Sequence, residues 1–210
     1  MQGLFRNPLA DPSLIGVSSG ASAGAGFVIV FGGIWLQSSS FLGLTLIAFG
    51  ATLGGALSVI LVYRLSTSAT GTSVPTMLLV GIAISALAGA LNGIFSFLAD
   101  NEMLRRMSLW QMGSLDAANW HRVGIAGFTV MFLMSCLPKH SQALNALLLG
   151  ESEARHLGIN VERVKQRIIL FTAIGVGISV AVAGMISFVG LVVPHIVRMT
   201  IGPDHRHLIP

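Results

Sequence analysis

Thr76-Met-Leu-Leu-Val-Gly-Ile-Ala-Ile-Ser-Ala-Leu-Ala-Gly-Ala-Leu-Asn-Gly-Ile-Phe-Ser-Phe-Leu98 runs for 23 residues without one charged side chain. A hydrocarbon core of about 30 Å takes roughly 20 apolar residues in helix, so this stretch reads as a transmembrane span. Three further segments, at about 18–36, 41–63 and 121–137, have the same character, the last being short. A fifth apolar run, Ile168 to Val197, would be about 45 Å long as one straight helix, too long for a bilayer without extreme tilt. Gly184, Ser187, Gly190 and Pro194 offer places to break it. The run therefore predicts a full span at about 167–186, a turn at membrane depth and a short return helix at about 189–200. Such a turn is tolerable only where other helices or a water-filled cavity satisfy its backbone.

The whole-chain composition agrees. Of 210 residues, 53% are hydrophobic and 10% charged, with mean hydropathy +0.81. A soluble domain carries about a quarter charged residues, so an ordinary soluble enzyme, a nucleic-acid binder and a disordered tail are all excluded. The net charge of +4 is then an orientation signal. Arg6, Arg64, Lys139, Arg155, Arg163, Lys165, Arg167, Arg198 and Arg206 fall on one side of the six passes, against Arg105, Arg106 and Arg122 on the other. Nine against three makes the first side cytoplasmic. Cys136 stands alone, which excludes an internal disulfide framework. The expected architecture is an all-α polytopic membrane protein, a single domain over 1–210 of about six transmembrane helices including the short return helix. The abrupt ends suggest the middle of a longer protein.

Small residues set the expected contacts. Gly20/Gly24, Gly50/Gly54 and Gly89/Gly93 are Gly-x-x-x-Gly pairs on three spans, and Ser179/Ala183 is a weaker one on the fifth; each predicts close helix packing. No ionisable residue lies in the middle of the first five spans, where proton relays and charged filters would place one. Asn92, Ser85 and Ser96 are the main polar groups of the third span and are expected to bond to neighbouring helices. Any transport therefore needs an external drive. No Gly-x-x-x-x-Gly-Lys-Ser/Thr is present, so the chain itself binds no ATP through a P-loop.

The hydrophilic segments carry the motifs. In Asn7-Pro-Leu-Ala-Asp-Pro-Ser13, Asp11 can cap a turn that Pro12 begins. Gly16-Val-Ser-Ser-Gly20 matches the nucleophile-elbow pattern, but without the strand before it that a hydrolase requires. Asn145-Ala-Leu-Leu-Leu-Gly-Glu-Ser-Glu-Ala-Arg-His-Leu-Gly158 predicts a short helix stopped by glycine, with Asn160 capping a second that carries Glu162, Arg163, Lys165 and Arg167. This cytoplasmic knob is either an amphipathic loop on the headgroups or a docking element; Leu147, Leu148, Leu149 and Leu157 would be its apolar contacts and Glu151, Glu153 and Arg155 its charged ones. The residues alone leave both open. The 100–120 segment is read as an external loop, with Trp110 and Trp120 as interfacial anchors and Met103, Met107 and Met112 available to an apolar cargo. Arg105 and Arg106 attract carboxylates or pair with Asp100 and Glu102. His205-Arg-His207 lacks further metal ligands.

Three of these segments carry a resemblance. Asn7-Pro-Leu-Ala-Asp-Pro-Ser-Leu-Ile-Gly-Val-Ser-Ser-Gly-Ala21, Gly150-Glu-Ser-Glu-Ala-Arg-His-Leu-Gly158 and Gly184-Met-Ile-Ser-Phe-Val-Gly-Leu-Val-Val-Pro-His-Ile-Val-Arg198 with Gly202–Pro210 resemble, in order, the landmarks of FecCD-type permeases. These are membrane subunits of ATP-driven importers for iron siderophores, haem and cobalamin. The resemblance implies a bacterial inner-membrane permease working as a homodimer with two cytoplasmic ATPase subunits and a periplasmic binding protein, in contact with lipid and not with nucleic acid. ATP would be bound by the partner subunit and no cofactor or metal by this chain, which would correspond to the third through eighth of about ten spans. By motif, Leu149, Gly150, Glu151, Glu153, Ala154, Arg155, Leu157 and Gly158 would sit in the ATPase groove. Asn7 and Leu9, with Thr72 and Ser73, would lie near the cytoplasmic gate. Arg105, Arg106, Met107, Trp110 and Met112 would meet cargo at entry, and Trp110 to Leu115 looks closest to haem permeases. A cobalamin or other siderophore permease, a truncated non-transporting scaffold, and a hydrolase using Ser18 are the alternatives.

Overall fold

A computed structural model of the chain describes every residue except 8–9, 33–39, 70, 116–117, 187, 203 and 210, together with the side chains at 40–42 and 44. Its helices are α1 (Gln2–Phe5), α2 (Val17–Phe31), α3 (Ser40–Ser66), α4 (Val74–Leu98), α5 (Asn101–Met112), α6 (Trp120–Cys136), α7 (Ser141–Leu149), α8 (Glu151–His156), α9 (Val161–Ala183), α10 (Val189–Ile201) and α11 (His205–Leu208). Single 3-10 turns occupy Pro12–Ile15 and Pro138–His140. A two-residue hairpin, β1 (Thr67–Ser68) with β2 (Gly71–Thr72), joins α3 to α4. Polar side chains in the connections fix the helix starts. Ser73, Asp100, Asn119 and Asn160 accept the backbone N–H of Thr76, Met103, Arg122 and Arg163, supplying acceptors that a first helical turn lacks. Asp11 caps the Pro12–Ile15 turn through Ser13 in the same way, as its spacing predicts.

Among the described residues, four helices are long and apolar enough to cross a membrane, starting at Thr45, Val74, Trp120 and Val161, and two shorter apolar helices, α2 and α10, accompany them. The predicted interruption of the last apolar run is present: α9 ends at Ala183, Gly184 turns the chain at φ +74, and α10 returns from Val189. Two carbonyls freed there are satisfied. Ser114 N–H donates to Ala183 O at 2.9 Å and Arg122 Nη1 donates to Val182 O at 3.1 Å. Ser187, one of the expected breaking points, lies outside the described residues.

Two glycine pairs form the tightest contact of the bundle. A Cβ placed on Gly24 would meet Gly50 O and lie 2.8 Å from Gly50 C; one on Gly54 would meet Gly20 O and lie 3.0 Å from Gly24 Cα. α2 and α3 therefore cross backbone to backbone, which only small residues permit. The third pair behaves differently. Among the described residues, nothing beyond its own helix backbone comes within 4 Å of a Cβ on Gly89 or Gly93, so the expected contact is not made there: α4 turns this side outward, with Leu87 and Ile94 more than half exposed. Ser179 likewise donates to its own helix at Gly175 O instead of packing across. On α4, Ser85 Oγ accepts from Ser19 Oγ at 3.1 Å and Asn92 Nδ2 donates to Ser22 Oγ at 3.2 Å, both on α2, whereas Ser96 bonds its own backbone.

The core has two parts. One, at the charge-rich end, gathers Leu4, Phe5, Ile15, Val62, Met77, Leu144, Leu147, Val161 and Ile168; the other gathers Ala21, Ala25, Ile29, Ile47, Phe95, Met107 and Val180. The 100–120 segment is not a loop throughout, because α5 occupies most of it and lays Met107, 4% exposed, into the second cluster. A cavity of about 880 Å³ lies between α6, α9, α10 and the Asp11–Ser13 turn, walled by Thr129, Leu133, Thr172, Ser179, Gly190 and Pro194 among others.

Candidate functional site

The knob forms because of two glycines. α7 stops where Gly150 takes φ +125 and donates its N–H to Leu147 O at 3.1 Å. α8 ends where Gly158, at φ +79, donates to Arg155 O at 2.9 Å while Ile159 N–H reaches back to Ala154 O. The single helix expected over 145–158 is thus two helices bent at Gly150, and the second one capped by Asn160 is the membrane-crossing α9 itself. Of the knob's four leucines, Leu147 turns inward at 3% exposure. Leu148, Leu149 and Leu157 stand outward at 44, 70 and 65% beside the exposed Glu153 and Arg155. Ala154 is fully buried and seats α8 on the bundle.

Behind this outward face lies an ion network. Lys165, 2% exposed, places its ammonium 2.8 Å from Glu151 Oε1 and 3.3 Å from Glu162 Oε1, and donates to Thr72 O at 2.6 Å. Three acceptors match the three N–H donors of a lysine, as a buried ammonium requires if it is not to cost several kcal/mol. Glu162 Oε2 in turn accepts the Thr72 backbone N–H at 2.9 Å, and Arg155 closes the cluster at 3.6 Å from Glu151 and 4.0 Å from Glu162. Gly71 takes φ +116, which favours glycine, and a Cβ there would lie 2.7 Å from Glu162 Oε1, so a side chain would push on the carboxylate as well. The hairpin is braced from its other side: Thr67 Oγ1 lies 3.0 Å from Thr72 Oγ1 and donates to Tyr63 O, and Ser73 N–H bonds Ser66 O.

The structure therefore brings together two groups that the sequence kept apart, Glu151 and Arg155 of the knob and Thr72 of the α3–α4 turn. Lys165 and Glu162, which join them, look in the sequence only like charges on a helix start. Their signal was available: Val161, Lys165, Ile168 and Ile169 recur at helical spacing and are all buried, so the lysine interrupts an apolar stripe. Ser73 caps α4 and is exposed. Asn7 follows α1, with its N–H on Gln2 O at 3.1 Å, and Leu9 lies outside the described residues.

A second cluster ties α7 to the end of the chain. Asn145 Nδ2 donates to Asp204 Oδ1 at 2.6 Å, and its Oδ1 accepts His205 N–H at 3.0 Å and faces His205 Nδ1 at 2.8 Å. The His205 ring is buried against Gly3, where a Cβ would meet Nε2. Burial, then the Arg198 charge, holds its pKa below the ordinary histidine value. His205 is thus a packed, hydrogen-bonded residue, and among the described residues no group of three metal-ligating side chains exists.

At the opposite end, α5 presents exposed Arg105 and Met112, the latter 77% exposed, while Arg106 pairs with Glu102 at 3.1 Å. Trp110 is half-buried on the second core cluster and Met107 lies beneath it. Of the five expected entry contacts, then, Met107 is turned into the core, Trp110 packs partly against it and Arg106 is paired, leaving Arg105 and Met112 outermost.

The family model of the FecCD transport family matches residues 1–210. The chain belongs to the FecCD transport family. The hemin transport system permease protein of Yersinia pestis is 45% identical over all of this chain and 62% of its own length. The cobalamin import system permease protein of Halobacterium salinarum is 40% identical over all of this chain and 54% of its own length. A solved structure of an inward-facing metal-chelate type ABC transporter superposes with a TM-score of 0.88 at 32% identity, covering all of this FecCD chain and 64% of that one. The chain thus spans less than two thirds of the length of these relatives. It is a multi-pass membrane protein with an ABC-permease fold, and the all-α architecture expected from its sequence is the one found.

Proposed function

We propose that this chain is the membrane-spanning part of a permease subunit in an ATP-driven importer that carries haem or another iron chelate across the bacterial inner membrane. The observation that carries this is the α7–α8 knob, an outward leucine and arginine face bent out by Gly150 and bolted through Lys165 to the turn between two spans. Such a face needs a partner, and a bundle with no ionisable group in the middle of its first five spans needs an outside source of work. Two ATPase subunits on the cytoplasmic side would supply both, binding the ATP themselves. The identity to a hemin permease supports haem as cargo; a homodimer of permease subunits and a periplasmic binding protein complete the assembly. Nucleotide-driven closure would displace the knob, and only contacts that differ between the two states can then shift the bundle between access states.

A permease-deleted strain given back the full reading frame tests this, with haemin as sole iron source. Growth on haemin is expected. Growth restored only when a ferric siderophore replaces haemin, or rescue of a cobalamin requirement in iron-replete medium without growth on haemin, would change the cargo, and no rescue under any of these conditions would favour the non-transporting scaffold. The double variant Glu151→Gln/Arg155→Gln should lose uptake while keeping the folded bundle.

A further inference from the structure

The shortest described link from the knob's charged residues to the α3–α4 hairpin runs through a single ammonium; a looser one runs from Arg155, 4.0 Å from Glu162, to the Thr72 N–H that Glu162 accepts. Glu151 opens α8 and Thr72 ends β2, and no hydrogen bond joins them directly among the described residues; Lys165 Nζ contacts both, at 2.8 and 2.6 Å. The contact on the hairpin side is a backbone carbonyl, paired with the Thr72 N–H on Glu162 Oε2. Both polar groups of one peptide-chain residue are therefore held by one turn of α9. A displacement of α8 that drags Glu151 must either break a buried charge-assisted bond or carry Lys165 and the hairpin with it. Charge-assisted bonds are the stronger class, and an unpaired buried ammonium is the costlier outcome, so the hairpin follows.

We propose that Lys165 is the positioning residue that transmits movement of the α7–α8 knob to the Thr67–Thr72 hairpin at the mouth of α3 and α4. This rests on the knob being the ATPase-docking element. The Gly71 backbone, at φ +116, lies against the Glu162 carboxylate and keeps the hairpin beside the first turn of α9. Arg155, more than half exposed and at 3.6–4.0 Å from the two glutamates, reaches Thr72 only through Glu162 and by longer, solvent-exposed contacts.

The test uses the complete permease assembled with its ATPase in lipid vesicles, with haemin as cargo, and reads uptake per ATP hydrolysed. Lys165→Met should keep the ATPase bound and lower that ratio at least tenfold, and Lys165→Arg should restore it to within about threefold of the parent. A parental ratio in Lys165→Met, or no recovery in Lys165→Arg, overturns the proposal. A merely structural lysine would lower the yield of complex and leave the ratio of surviving complexes unchanged. If Lys165→Met fails to fold, Lys165→Met/Glu151→Gln/Glu162→Gln removes the uncompensated carboxylates; it should fold and remain uncoupled, and a coupled triple variant refutes the role. Leu149→Glu separates the two readings. Loss of bound ATPase with this variant upholds the docking face, so that a normal ratio in Lys165→Met then defeats only the transmission role. Retained ATPase with Leu149→Glu defeats the docking reading itself.

Discussion

Gly24→Ala adds one methyl group at the crossing of α2 and α3, where the atom it meets is the Gly50 carbonyl oxygen. Backbone cannot rotate away, so the two helices must part by about 1 Å to reach ordinary contact, and a gap of that size forfeits a quarter to a half of each dispersion well across the interface. Overpacking of this kind costs about 1–3 kcal/mol, and the loss extends to the Gly20–Gly54 contact one turn away, placing the expected cost at about 2–3 kcal/mol. For a chain of this size each kcal/mol moves Tm by roughly 2–4 °C, giving a drop of about 4–12 °C. Gly89→Ala is the control. It lies in open space on α4 and gains at most about 1 kcal/mol of helix propensity, so its Tm should stay level or rise. Thermal melting of the purified chain in one detergent, followed by circular dichroism, measures both. Equal losses in the two variants, or a level Tm for Gly24→Ala, would refute the backbone crossing.

Three other outcomes follow from named contacts. His205 titrates below its ordinary value because burial disfavours the imidazolium; the unfolded chain binds that proton more readily, so the stability His205 contributes is present above about pH 6.5 and lost as pH falls toward the depressed value. Melting at pH 7.5 and 5.5 should show this dependence shrink in His205→Gln. Asn92→Leu should cost less than about 1 kcal/mol in denaturant titration, because Asn92 Oδ1 is buried without a partner among the described residues and removing it offsets the lost bonds to Ser22 and Ala88. Gly184→Ala should lower stability by more than about 1 kcal/mol, since φ is +74 and a Cβ would lie 2.5 Å from Trp110 O; an unchanged melting curve would contradict that geometry.

The helices were legible because membrane length and apolarity leave few alternatives, and two starts were legible in Asp11 and Asn160, whose side chains bond where spacing places them; the caps at Ser73, Asp100 and Asn119 came from the structure. What periodicity could not supply was direction around each axis. Gly89/Gly93 and Gly50/Gly54 read alike, yet one pair faces outward and the other meets a helix, because the choice depends on the position of α2 and not on the pair itself. Lys165 was hidden among Arg163 and Arg167. Residues two apart on a helix point to different faces, and only the inward stripe of Val161 and Ile168 distinguishes the lysine. The knob was visible as a motif, but its bend at Gly150 was not, since a glycine between Leu149 and Glu151 suits a helix interior at modest cost or a break equally well.

The bonds from Ser114 and Arg122 to the end of α9 bear on how the chain is made. Both donors precede Ala183 by about 60 to 70 residues, so they have already left the ribosome when the broken segment follows. A break entering the bilayer before its acceptors had partners would expose bare carbonyls to lipid. Synthesis in this order presents each carbonyl with a donor already anchored by α5 and α6, and reversing the two halves of the chain by circular permutation would remove that protection during insertion.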